Sequence, residues 1–161
     1  MKMSEGVEWT AHACALLAAL PHGMGLPAAA LAEFHYLAPA YMAKHMQALA
    51  RAGVVESVRG AGGGYRLIRK PDTVTLWDIY EAIEGEEPAF RCSEIRQQGP
   101  CTGTGDFRKP CEITAVFRKA ETAWKAELKS VSLADIATEV GRKTTPARRA
   151  QLTEWLQEKL T

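Results

Sequence analysis

Long apolar runs are missing from this sequence: no stretch of about 18 uninterrupted apolar residues occurs, which excludes an ordinary membrane-spanning helix. The first residues, MKMSEGVEW, carry Glu5 and Glu8 where a secretory leader needs a basic start and an apolar stretch, so a cytoplasmic protein with no membrane partner is expected. Net charge is nearly absent, at +1. Cysteine is sparse, at four residues, and in a reducing cytoplasm these are not expected to form a disulfide framework; metal binding, redox sensing and plain burial compete for them. No C-x-x-C pair is present, which argues against a zinc finger. A nucleophile-base-acid constellation and a phosphate-loop motif are lacking too, and no strand-to-helix unit surrounds Gly62, Gly63 and Gly64 to make them a dinucleotide loop. An enzyme is therefore not expected.

What the chain does have is enough apolar content, 47% of 161 residues, for one compact domain or one domain with an appended helical arm. Val7 to Leu20 reads as a helix with Trp9, Ala13, Cys14, Leu16, Leu17 and Leu20 on an apolar arc and Glu8, His12, Ala15 and Ala19 opposite. Pro27 suits the first turn of a second helix, and a third runs from about Pro39 to Ala52, stopped by Gly53. The short Tyr36-Leu37-Ala38 turn between them makes a helix-turn-helix pair. Val54 to Leu67, VVESVRGAGGGYRL, then reads as two short strands closed by a glycine-rich tip. Helix pair followed by β-ribbon is the layout of a winged helix-turn-helix, so the expected fold is mainly α with a small β-wing. Thr75 to Asp78 and Ser132 to Asp135 both have capping-box spacing. Ile113, Val116, Phe117, Ala120, Trp124, Leu128 and Val131 hold helical spacing over about five turns, a stripe long enough to need a partner helix, for which a second subunit is the economical source. The expected organisation is a winged domain over 1–85, a cysteine-containing loop over 86–110, a dimerisation helix and a short helix over 111–145, and a C-terminal amphipathic helix over 146–161.

The weak net charge conceals a local bias. Between Ala40 and Lys70 the basic residues Lys44, Arg51, Arg59, Arg66, Arg69 and Lys70 face one acid, Glu56, as a phosphate-facing surface requires. The start of the second helix of such a pair enters the major groove, while the wing holds phosphates. Ala40, Tyr41, Ala43, Lys44 and Gln47 are placed for the first role, with Lys44 reaching guanine or phosphate and Gln47 suited to adenine. Arg59 and Gly60 at the wing are placed for the second. A dimer would read an inverted repeat in double-stranded DNA.

Cys92, Cys101 and Cys111 lie within 20 residues of irregular sequence. Thiolates are soft ligands for zinc, Cu(I) or iron-sulfur clusters, and a loop can bring three to one point; on chemistry alone a metal site and a disulfide-type redox switch stand level. Cys14, on an apolar helix face, reads as a core thiol. Glu8 and His12 tip the balance toward metal, since i, i+4 spacing on one face lets a carboxylate and an imidazole meet one ion.

The segments GVEWTAHAC, LPAAALAEFH, APAYMAKHMQALARAGVVESVRGAGGGYRL, VTLWDIYEAIEG and CSEIRQQGP...KPCEI together resemble the Rrf2 family of winged-helix regulators over nearly all of Val7 to Asp135. The resemblance implies a DNA-binding dimer that represses or activates promoters according to the state of an interfacial iron-sulfur cluster. GVEW..H with C.EIRQ.GP and K.C.I is most similar to the redox-sensing, RsrR-like branch, related to IscR and NsrR, which implies a 2Fe-2S cluster held by Glu8 and His12 of one subunit with Cys92 and Cys111 of the other. Cys101 would then be a spare thiol, and Trp9 is the candidate relay to the DNA-binding elements. Two alternatives stay open. One is a 4Fe-4S centre on Cys92, Cys101, Cys111 and Glu8 that responds to nitric oxide or iron; the other, of a different class, is a metal or iron-sulfur carrier or a protein-binding adaptor.

Overall fold

The computed structural model describes residues 3–21, 23–60, 63–100 and 107–160. Helix α1 spans Glu5–Ala18 and begins earlier than periodicity predicts, because Ser4 takes an extended conformation and both its backbone N–H and its hydroxyl donate to Glu84. That anchor is a tertiary contact, which no local pattern reveals. The inward face of α1 is Val7, Ala13, Cys14, Leu16 and Leu17, with Trp9 and Leu20 half-buried and Glu8 and His12 exposed, so the expected two-sided helix is present. Its N-terminus lies so close to α3, Pro39–Arg51, that a Cβ on Gly6 would stand 2.5 Å from the His45 ring, so a larger residue there would have to displace that ring.

Helices α2, Ala28–Phe34, and α3 form the helix-turn-helix pair. The turn between them needs a left-handed residue, supplied by the fully exposed Tyr36 at φ 54°. Met42, Met46 and Leu49 of α3 point into a core shared with Leu26, Leu31, Val54, Val55, Val74 and Ile79. The wing is an antiparallel pair, β1 Val55–Val58 and β2 Gly64–Leu67, in register Val55 with Leu67 through Val58 with Gly64. Leu26 and Tyr65 exchange backbone hydrogen bonds at 3.0 and 2.8 Å and dock the ribbon onto the segment before α2. At that point Gly64 has φ +130°, and a Cβ there would lie 2.2 Å from the Leu26 carbonyl carbon. Residues Ala61 and Gly62 of the expected wing tip lie outside the described residues.

Both capping boxes form. Thr75 and Asp78 open α4, Leu76–Glu84, and Ser132 and Asp135 open α6, Leu133–Lys143. The two openings are stitched together, with the Leu76 N–H donating to the Val131 carbonyl and the Leu133 N–H to the Val74 carbonyl, which carries Leu133 into the main core. Helix α5, Glu112–Ser130, is divided along its length. Trp124 and Leu128 pack on a second apolar cluster of Val7, Trp77 and Tyr80, while Ile113, Val116 and Phe117 are 67%, 67% and 51% exposed. Among the described residues the first half of the expected stripe thus stays largely exposed, with only the Phe90 ring laid on Phe117. Helix α7, Pro146–Leu160, lays Leu152, Trp155, Leu156 and Leu160 against the main core; Trp155 meets the Phe34 ring at 4.8 Å and Lys159 pairs with Glu33 at 2.9 Å. Among the described residues no helix is long and apolar enough to cross a membrane.

Candidate functional site

Because α3 buries Met42, Met46 and Leu49, geometry turns Ala40, Lys44, Gln47 and Arg51 outward on one exposed stripe. Ala43 is half-buried, and Tyr41 is 55% exposed and belongs to the surface rather than the core. Arg59 and Gly60 follow β1 and are exposed, with Gly60 at φ +103°. The basic cluster is thinner than composition suggests. Arg66 pairs across the ribbon with Glu56 at 2.8 Å and donates to the Gly23 carbonyl, and Arg69 pairs with Asp78 at 3.1 Å. Lys44, Arg51, Arg59 and Lys70 carry no ion pair among the described residues, so the unneutralised positive charge of this surface rests on these four.

Behind this face lies a cleft of about 450 Å³ between α1, α3 and α4, lined in part by Trp9, Tyr41, Lys44, His45 and Arg51. Trp9 sits edge-on to Tyr41 at 5.7 Å and to His45 at 6.2 Å. The side chain next to Glu8 therefore meets α3 at Tyr41 and His45, on either side of the Ala43-Lys44 segment. Burial, with Lys44 adding to it, holds the His45 imidazole below its ordinary range and so in the neutral form at neutral pH.

Residues 89–92, the start of the cysteine segment, are laid along α5. The Ala89 N–H donates to Glu121 at 2.7 Å, Phe90 stacks on Phe117 at 4.6 Å, and Cys92 meets Thr114, three contacts on successive turns of one helix face. Arg96 closes the far end, ion-paired with Glu94, donating to the Lys109 carbonyl and standing over the Phe107 ring. Cys111 is the N-cap of α5, its sulfur accepting from the Thr114 N–H at 3.5 Å. The Thr114 hydroxyl lies 3.3 Å from Cys111 Sγ and 3.2 Å from Cys92 Sγ, so both sulfurs converge on one oxygen. That hydroxyl first, then the Thr114 amide, with Arg96 nearby, hold the Cys111 thiol below its ordinary range and favour the thiolate that binds metals. Cys101 lies outside the described residues. Cys14 is buried in the core, where loss of hydration pushes its thiol up to about 12, as inert as its helix face predicts.

Glu8 and His12 share the exposed face of α1, and the His12 ring stands 5.5 Å from that of His35, whose own Nε2 is buried without a hydrogen-bond partner. Among the described residues of one chain, no three His, Cys, Asp or Glu side chains gather at a point where they could hold a metal. The structure thus brings Cys92 and Cys111 together through Thr114, while Glu8 and His12 lie one turn apart on α1 and do not gather with them among the described residues of one chain. Thr114, Arg96 and the Phe90 to Phe117 stack escaped sequence reasoning. Of these only Thr114 has a local signal, a hydroxyl three residues after a helix-capping cysteine.

A family model described as Rrf2, iron-dependent transcriptional regulator, matches residues 3–139. The chain is 30% identical over 141 residues to YwgB of Bacillus subtilis (strain 168), named as an HTH-type transcriptional regulator, covering 88% of this chain and 87% of that one. Among solved structures it is similar to IscR of T. potens, with a TM-score of 0.70 and 25% identity over 90% of this chain and 93% of the other. It is similar as well to CymR, the global cysteine regulator of B. subtilis, with a TM-score of 0.69 and 26% identity over 86% of this chain and 98% of that one.

Proposed function

The chain belongs to the Rrf2 family of DNA-binding transcription regulators, not to any class of enzyme, and from that premise we propose that it is a cytoplasmic homodimer that reads an inverted-repeat operator under the control of a 2Fe-2S cluster. Glu8 and His12 of one subunit and Cys92 and Cys111 of the other are the ligands in this reading. The observation that carries it is a pair of arrangements: two sulfurs converging on one hydroxyl at the start of α5, and a carboxylate and an imidazole exposed on α1 with no third ligand gathered to them among the described residues. Among the described residues a four-ligand set is reached across two copies, and the exposed apolar residues beside Cys111, namely Ile113, Val116 and the open face of Phe117, give the second copy a surface to use.

A cluster with histidine among its ligands has a higher potential than one held by four thiolates, which brings its reduction within reach of cytoplasmic donors. The chain's own residues supply the path to DNA. Charge at Glu8 and His12 acts on α1, which is tied at Ser4 to Glu84 and meets α3 through Trp9, and Tyr41 and His45 flank the groove-facing Lys44. Trp9 is the relay in this proposal. A displacement of α1 then alters the presentation of α3 and the spacing of the two half-sites.

The first measurement is iron and acid-labile sulfide per chain, with the visible spectrum, after purification without oxygen. About two of each supports the mixed-ligand site; about four favours the three-cysteine 4Fe-4S alternative; none, after anaerobic reconstitution, defeats the cluster reading. Glu8→Ala and His12→Ala are expected to change the spectrum and the redox dependence of operator binding, and unchanged behaviour in both removes them as ligands. Cys101→Ala is expected to keep the cluster, whereas the 4Fe-4S alternative loses it. Salt-independent or absent binding to promoter-sized duplexes would favour the carrier or adaptor class.

A further inference from the structure

Thr114 is the one buried residue of α5, 2% exposed, in a helix that otherwise presents its first turns to solvent. A buried helical threonine ordinarily spends its hydroxyl on a carbonyl one turn back. The buried Thr10 of α1 does so, donating to the Gly6 carbonyl, as does the exposed Thr122 on this same helix, which donates to the Arg118 carbonyl at 2.9 Å. Thr114 instead places Oγ1 between Cys92 Sγ and Cys111 Sγ, and sulfurs are weak partners for a group that is costly to bury. Valine has the same shape and no hydroxyl to satisfy, so packing alone gives no reason for threonine here.

We propose that Thr114 is a positioning residue for the sulfur site, holding Cys92 against the start of α5 and giving each of the two sulfurs one hydrogen-bond donor. The proton count supports the assignment. The hydroxyl has one proton, donated to Cys92 Sγ, while the backbone N–H of the same residue is donated to Cys111 Sγ. The contact between the hydroxyl and Cys111 Sγ is open to a donor from either side, the Cys111 S–H in the dithiol or the hydroxyl when Cys111 alone is the thiolate. With both sulfurs deprotonated and bound to a soft metal, neither donor has to move: the side chain serves Cys92 and the main chain serves Cys111. The two sulfurs are therefore unequal. Substitution of the side chain removes the donor to Cys92 and leaves the one to Cys111. The part of this inference that concerns a redox potential rests on the cluster reading above; the part that concerns metal capture does not.

The test compares Thr114→Val, which keeps shape and loses the hydroxyl, with Thr114→Ser, which keeps the hydroxyl and loses a methyl, both in a Cys101→Ser background. Cd(II) alone is titrated into the reduced apoprotein and followed by its thiolate charge-transfer band. Thr114→Val is expected to weaken capture about tenfold and Thr114→Ser to leave it nearly unchanged, as loss of an outer-shell donor does at metal sites. A packing role gives the opposite order, with the serine variant the weaker, and equal capture by all three proteins also overturns the proposal. Circular dichroism confirms that each variant is folded, and the serine variant decides the order should valine disturb the fold. In reconstituted protein the valine variant is expected to have the lower potential, because a hydrogen bond to a ligand sulfur favours the more negative, reduced state; a tenfold change in that equilibrium is about 59 mV for one electron. Wild-type protein that holds no cluster yet shows the Cd(II) difference defeats the functional reading and leaves the role of Thr114 intact.

Discussion

Gln47 and Arg59 stand on different parts of the surface proposed to face DNA, and their chemistry separates the roles proposed for them. Gln47 is on the outward stripe of α3, where in the proposed complex a bidentate amide would read adenine, and Arg59 is exposed beyond β1, where a guanidinium would meet phosphate or the minor groove. Gln47→Ala is expected to cost about 1–3 kcal/mol on the best operator and to relax discrimination at one base position. Arg59→Ala is expected to weaken binding to all sequences alike and to lower the salt slope by about 1. Anisotropy titrations over a range of salt, on the operator and on single-base variants, distinguish the two; identical behaviour of both variants would show that α3 does not read bases. Both positions were legible in the sequence because a helix period and a glycine-flanked turn decide which way they face. That Arg66 and Arg69 are occupied by Glu56 and Asp78 was not, since each pairing joins residues that only the folded ribbon and α4 bring together.

At the scale of elements, the capping boxes are the parts read most directly, because they depend on four consecutive residues. Thr75→Ala should cost about 1 kcal/mol, the usual worth of a cap, in urea denaturation. The same boxes predict an acid dependence. Burial works against the charge on Asp78, but the Thr75 amide and hydroxyl and the Arg69 guanidinium outweigh it, and the Ser132 hydroxyl and amide lower Asp135. Both carboxylates lie below their ordinary range when folded, so they bind protons less readily in the native than in the unfolded chain. The stability they contribute is complete above the unfolded value, about pH 3.9, and is lost as pH falls through the lower folded values. Thermal melts stepped downward from neutral pH should show this loss in wild type and a shallower one in Thr75→Ala with Ser132→Ala; equal slopes would mean that the boxes do not hold these protons off. The start of α1 shows where local reading stops: its first turn is set by Ser4 bonding Glu84, eighty residues away in the sequence.

Across the whole molecule, α5 joins three functions. Its later turns complete the cluster around Trp77 and Tyr80, its first turn holds the sulfur site, and between them it exposes Ile113, Val116 and Phe117. Val116→Glu should leave one chain folded, because the side chain is 67% exposed, and should break the proposed dimer. Sedimentation velocity is expected to show a monomer, with lost affinity for a two-half-site operator and lost iron, since each subunit would be deprived of the other's ligands. A variant that remains dimeric places the interface elsewhere.

The sequence by itself determined the winged helix-turn-helix, the two capping boxes, the outward stripe of α3 and the inert burial of Cys14, all of which follow from periodicity, turn chemistry and neighbours within a few residues. Tertiary structure alone decided which basic residues are already paired, that Trp9 meets α3, that α7 closes over α2, and that Cys92 and Cys111 converge on Thr114. The physical reason is distance along the chain. A hydroxyl, a thiolate or a ring has the same local preferences wherever it stands, and only the packing of α5 against the segment before it places one oxygen between two sulfurs that lie nineteen residues apart in sequence.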